Sequence, residues 1–125
     1  MNGHADWVRR HYEAGSDRLD ADAFLDGLAE DVVLRQGAVA TRGHTALRAA
    51  IDSMRSNGML ALEHHLLHVW EPNAEVTIVE GTVRYVRTSG STEPLPVVTV
   101  FEWTRGFVSE IRVYVADEGL PSGRG

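Results

Sequence analysis

Three histidines, His64, His65 and His68 in the segment HHLLH, form the densest group of chemistry-bearing side chains in the chain. Imidazole is the side chain whose free pKa suits proton transfer near neutrality, so any of them facing a cavity could act as a general base. His65 stands as the candidate base, with His64 and His68 as candidate substrate contacts. A shared metal ion fits poorly. In a straight strand residues four apart lie ~13 Å from one another, too far for two ligands whose bonds are ~2 Å each. Only a helix would bring His64 and His68 together, and no third ligand is evident, so neither metal nor cofactor is expected. The chain has no cysteine, which removes thiolate chemistry and disulfides. His44, after Gly43, reads as a capping or solvent-exposed residue. The acidic series Asp17, Asp20, Asp22 and Asp26 reads as a solvated helix face.

The elements that must position these groups fall into two halves. From Glu75 to Asp117 the chain is β-rich, with three alternating runs. Val79, Val83 and Tyr85 alternate with Glu80, Thr82 and Arg84. Val97, Thr99, Phe101 and Trp103 alternate with Val98, Val100 and Glu102, and Ile111, Val113 and Val115 with Glu110, Arg112 and Tyr114. A period of two sends successive side chains to opposite faces of a sheet, so each run buries one face. Ser89-Gly90 and Arg105-Gly106 supply turns that tolerate positive φ. Before them, residues 5–16 predict a helix with the i,i+4 pairs Trp7/His11 and Val8/Tyr12, and residues 21–29 a short second helix. Residues 31–35 predict a strand with a return at 39–41. Leu47, Ile51 and Met54 give a third helix that stops at Asn57-Gly58. The segment around His64 reads as a strand leading into a turn at Pro72-Asn73, although Leu62, Leu66 and Val69 would also fit a helix stripe. On such a strand His64 and His68 share one face with Leu66 and Trp70, and His65 shares the other with Leu67 and Val69. Helices segregated onto an antiparallel sheet make an α+β fold.

At 125 residues the chain suits one domain, with residues 119–125 as a tail. The net charge of −6 is spread along the chain without a basic run, which argues against nucleic acid and anionic membranes as partners. No apolar run approaches the ~20 residues of a membrane span, and the start lacks a signal-peptide apolar region, so a cytoplasmic protein is expected.

The order of elements and the wording of five segments resemble the SnoaL-like branch of the nuclear transport factor 2-like superfamily. The segments are residues 20–35 (DADAFLDGLAEDVVLR), 42–47 (RGHTAL), 64–70 (HHLLHVW), 95–103 (LPVVTVFEW) and 105–115 (RGFVSEIRVYV). The resemblance implies a cone, in which a strongly curved antiparallel sheet wraps helices around an apolar cavity, and a homodimer joined through the sheets. Relatives include ketosteroid isomerase, polyketide cyclases and limonene-type epoxide hydrolases alongside members that only bind or scaffold, so the fold alone does not give a function.

Residue by residue, the resemblance places Tyr12 where ketosteroid isomerase carries its oxyanion-donating tyrosine. A phenol in a dry pocket is a strong donor to an enolate. Gln36 falls where that enzyme has its general-base aspartate, and Thr99 where it holds a protonated aspartic acid. Glutamine cannot take a proton and threonine offers only a weaker donor, so 3-oxosteroid isomerase activity is not expected. Val113 stands where the cyclases place an acid/base aspartate on the last strand. The Asp-Arg-Asp set of the epoxide hydrolases has no counterpart around Arg84 or Arg87, and Asp117 would fall at the rim. Trp7, Met54, Met59 and Tyr85 complete the residues expected to touch an apolar ligand. Three functions stay open at this point: an isomerase or cyclase acting on an apolar carbonyl compound, a non-catalytic binder of such a ligand, and a dimerisation module with a filled cavity.

Overall fold

A computed structural model describes residues 3–116; Asp117 and the tail at 119–125 lie outside the described residues. The helical part comprises α1 (Ala5–Arg10), continued without a break by a π-helical turn (His11–Ser16), then α2 (Ala21–Leu25) and α3 (His44–Ser56). The strands are β1 (Leu28–Gln36), β2 (Val39–Arg42), β3 (Met59–Asn73), β4 (Val76–Arg87), β5 (Gly90–Ser91), β6 (Leu95–Thr104) and β7 (Phe107–Val115). They form one sheet in the order β2-β1-β7-β6-β4-β3, with β5 on β4. Strands β3, β4, β6 and β7 are the expected antiparallel meander. The sheet as a whole is mixed, because β1 joins β7 in parallel. The second helix is shorter than the sequence pattern predicts: the chain leaves it at Leu25, and β1 starts at Leu28, where Leu28 already pairs with Val108.

The alternation of β-branched and aromatic residues sets the sheet's inner face. Thr77, Val79 and Val83 of β4, Val97, Thr99, Phe101 and Trp103 of β6, and Val108 and Ile111 of β7 are buried. The β6–β7 hairpin closes on Arg105-Gly106, both at positive φ (56° and 84°), the two-residue turn whose twist matches that of the strands. One end of the inner face is packed solid. Trp103 donates its indole N–H to Thr77 Oγ1 (3.1 Å), and Trp7 meets Trp103 and Phe101 edge-on at centroid distances of 5.1 and 6.0 Å.

Strand β3 departs from simple alternation. Leu66 pairs with Gly81 and His68 with Glu80, so Leu67 is an extra residue, a bulge that reverses the facing of everything after it. Gly81 permits this. A Cβ there would lie 2.1 Å from the His65 carbonyl oxygen, so no larger residue allows the bulged strand to come so close. His64 and Leu66 therefore look inward, as does Val69 beyond the bulge, whereas His65, Leu67, His68 and Trp70 are exposed.

Candidate active site

At the other end of the inner face the helices stand away from the sheet and leave an apolar cavity of about 230 Å³. Its floor is Phe101 and Ile111. Its walls include Leu34, Leu47, Ile51, Val83, Val97 and Val113, and its polar side chains are His11, Tyr12, Ser16, Gln36, His64, Tyr85 and Thr99. Among the described lining residues there is no carboxylate and no Lys or Arg.

The π-helical turn places two of the buried polar groups, His11 and Tyr12. A wider turn of this kind is rare and recurs at functional sites. Here its i→i+5 bond runs from the Asp17 N–H to the Tyr12 carbonyl (2.9 Å). Gly15 lies inside it, where a Cβ would sit 2.7 Å from the Phe24 backbone nitrogen, so the turn packs directly on α2. Leu19, buried and at positive φ (53°), carries the chain out of the turn, its carbonyl accepting from Arg55 Nη1 (3.3 Å). A branched side chain in that conformation is strained and persists only under tertiary constraint.

The constraint is a clasp between the end of the turn and β3. The Asp17 carbonyl accepts from the Leu62 N–H (3.1 Å), and Asp17 Oδ2 accepts from the His64 N–H (3.2 Å). Asp17 Oδ1 lies 2.6 Å from His64 Nδ1. A carboxylate only accepts, so Nδ1 carries the proton, and Nε2 is left as the basic nitrogen of an imidazole whose side chain is only 9% exposed. The Tyr12 ring lies against that imidazole at 4.4 Å. Tyr12 also shares a hydrogen bond with the Thr99 side chain, and burial drives its pKa upward, with the Asp17 charge pushing the same way. The phenol therefore stays protonated and available as a donor.

His11 is the remaining buried group. It stacks on Trp7 (4.7 Å) and packs against Phe24 (4.6 Å), and its Nδ1 is buried with no hydrogen-bond partner among the described residues. Burial, followed by the nearby His64, lowers its pKa to about 3, so the ring is neutral.

The structure thus brings Tyr12, Gln36, Met54, His64, Tyr85, Thr99 and Val113 to the cavity. It does not bring His65, the expected base, nor His68: the first projects from the outer face and the second follows the bulge outward. Met59 and Trp7 are also absent from the lining, Trp7 because its indole fills the packed end beside Trp103. Two lining or supporting groups escape the sequence pattern. Asp17 belongs to a series that reads as solvated, and two other members behave largely so: Asp20 caps α2 through Ala23 N–H, and Asp22 pairs with Arg48 at the surface. Asp17 differs only through a partner 47 residues away. His11 shows in the sequence as the i,i+4 mate of Trp7, but nothing there says that one ring nitrogen goes unpaired. His44 is half-buried and bonds through Nε2 to the Leu28 carbonyl (3.0 Å), fastening α3 to the start of β1. Among the described residues no three His, Asp or Glu side chains gather closely enough to hold a metal ion, and no helix is long and apolar enough to cross a membrane.

A curled sheet closed by helices over an apolar pocket is the cone of the nuclear transport factor 2-like superfamily. The chain belongs to the SnoaL-like domain family, whose model matches residues 8–111. Among solved structures it is similar to a nuclear transport factor 2-like protein of unknown function from Burkholderia pseudomallei K96243. That pair has a TM-score of 0.82 at 23% identity, over 99% of this chain and 97% of that one. An LEH-like epoxide hydrolase from Mycobacterium tuberculosis gives 0.77 at 19% identity, over 92% and 84%. A SnoaL-like polyketide cyclase, so assigned from Jannaschia sp. CCS1, gives 0.75 at 18%, over 92% and 86%. Comparison with curated proteins finds no match.

Proposed function

We propose that this protein is a small-molecule isomerase or cyclase acting on a compact, apolar, carbonyl-bearing substrate. One observation carries the reading: an Asp17–His64 pair and a Tyr12–Thr99 pair meet at the wall of an apolar cavity. His64 Nε2 takes a proton from the carbon beside the substrate carbonyl, and Asp17 stabilises the imidazolium that forms. The electron pair moves onto the carbonyl oxygen, where Tyr12 donates while its own oxygen accepts from Thr99. Collapse of that enolate returns the proton to a different carbon, which is isomerisation, or forms a new carbon–carbon bond to a second carbonyl carbon of the same molecule, whose π pair moves onto its oxygen and takes the proton back from His64, which is cyclisation. Low dielectric makes each of these interactions stronger than it would be in water. The volume lies below the roughly 300–1,000 Å³ of drug-sized sites, which favours one or two fused rings over a steroid. The polyketide cyclase and epoxide hydrolase among the structural neighbours suit chemistry of this general kind.

A second reading, a binder without turnover, draws on the same clasp. Asp17 is fully engaged in tying the helical segment to β3, and among the described residues no carboxylate lines the pocket. Incubation with a panel of bicyclic ketones, enones and polyketide mimics separates the two. The enzyme reading expects a rearranged product by mass-resolved chromatography, lost in Tyr12→Phe and in Asp17→Asn. Saturable quenching of tryptophan fluorescence with every compound recovered unchanged would replace it with the binder. The outer sheet face, where Leu67, Trp70, Val98 and Tyr114 are exposed, is our candidate for pairing two copies; sedimentation as a monomer at micromolar concentration would remove that part of the reading.

A further inference from the structure

His11 has no role in the chemistry above, yet it is 95% buried, being only 5% exposed, and it lines the same cavity. Its Nδ1 is the only buried side-chain nitrogen or oxygen without a partner among the described residues. Leaving such an atom unpaired is costly, and in native structures each such case calls for an explanation. Packing does not require a polar ring here. The surroundings are Trp7, Tyr12, Phe24 and Phe101, all within 6 Å by ring centroids, and a phenyl ring would occupy this place without the penalty. Nor is His11 a second base, since it sits among aromatic rings and, among the described residues, pairs with no carboxylate.

We infer that His11 is a recognition residue for a hydroxyl group on the ligand, separate from the carbonyl that Tyr12 holds. A neutral imidazole offers one N–H and one lone pair, and an alcohol or phenol both donates and accepts, so it satisfies the ring in either tautomer. A carboxylate does not suit the place, because among the described residues no Lys or Arg lines the cavity to balance it. The ligand class becomes a hydroxylated bicyclic ketone, with its ketone toward Tyr12 and its hydroxyl toward the α1/π-turn wall. A site built around a buried polar atom discriminates against an analogue that lacks the matching group, because the atom is then left unpaired.

The inference rests on the cavity being the ligand site proposed above, and the test separates the two. Calorimetric titration compares 1-tetralone with its 5-, 6- and 7-hydroxy derivatives on the wild type and on His11→Phe, which keeps the aromatic stack. At least one hydroxytetralone should bind the wild type about five- to tenfold more tightly than tetralone, the worth of a single neutral hydrogen bond. In His11→Phe the two should fall within twofold of each other. Nitrogen-15 spectra of the wild type give a readout that needs no variant: the His11 Nδ1 resonance should shift with that hydroxytetralone and stay in place with tetralone. A hydroxyl preference that survives in His11→Phe, or tetralone binding the wild type as well as its hydroxy derivatives, overturns the inference and leaves the cavity reading standing. Failure of all four compounds to bind overturns both.

Discussion

At the Trp103 end of the sheet's inner face, a buried indole N–H meets a buried threonine hydroxyl at 3.1 Å, and the rings of Trp7 and Phe101 close around them. At the other end, the next inward positions on the same strands, Val83 and Tyr85, Val97 and Thr99, and Val113 and Val115, border a cavity. The polar groups there include a histidine–aspartate pair, a tyrosine and a histidine nitrogen with no partner among the described residues. The strands are continuous from one end to the other, so the difference is made by what the helices bring. Side chains of α1 fill the first end, whereas the π-helical turn and α3 span the second. The packed end holds the cone together; the open end, on the function proposed above, offers its hydrogen-bonding groups to a ligand.

The comparison is broken most severely at the packed end. Trp103→Ala should cost about 3–5 kcal/mol, because it opens a cavity and orphans the Thr77 hydroxyl. Against a total of about 5–15 kcal/mol for a domain, that loss should appear as a large drop in the urea midpoint.

At the open end the effects should fall on turnover. Asp17→Asn removes the carboxylate that fixes the His64 tautomer, and roughly a hundredfold or greater loss of kcat is expected on a substrate found by the panel. A fold that circular dichroism reports as unchanged would place that loss in chemistry. Tyr12→Phe should lower kcat about ten- to a thousandfold, as for removal of one oxyanion donor, and unchanged kcat would remove Tyr12 from the mechanism.

The pH dependence of stability sharpens the contrast at smaller scale. His11 has its pKa lowered from an ordinary 6.5 to about 3, so the folded state binds fewer protons than the unfolded state between those values. Its neutral burial therefore supports the fold above pH 6.5, and that support is lost as pH falls towards 3. His11→Phe has no such group. Its stability should decline less between pH 6.5 and 4, by up to about 1.4 kcal/mol per pH unit. Denaturant midpoints at several pH values check this, and parallel curves for the two proteins would contradict it.

Much of the scaffold is legible in the sequence because β4 and β6 keep a period of two, as does β7 from Glu110 onward, after a bulge at Ser109 that leaves Val108 and Ile111 both inward. Tyr85, Thr99 and Val113 were assigned to the inner face from alternation alone. The same rule failed on β3, where one bulged residue puts His68 outside although it shares parity with His64. Only Gly81, on another strand, marks the place where the bulge fits, and a glycine within a strand is an ambiguous signal. Asp17 was illegible for a different reason. Its meaning lies in a contact across 47 residues, and local spacing makes it indistinguishable from its surface neighbours Asp20 and Asp22.

The π-helical turn has a consequence for how this chain can change over time. Such a turn amounts to one residue inserted into an α-helix, and here it is anchored from within by Gly15 on the Phe24 backbone and just past its end by Asp17 on β3. Deleting a single codon between His11 and Ser16 would restore an ordinary helix and rotate everything before it by about 100° about the axis. Trp7 would leave its seat beside Trp103 at the moment Tyr12 left the cavity. The length of this one helical turn must therefore be inherited unchanged.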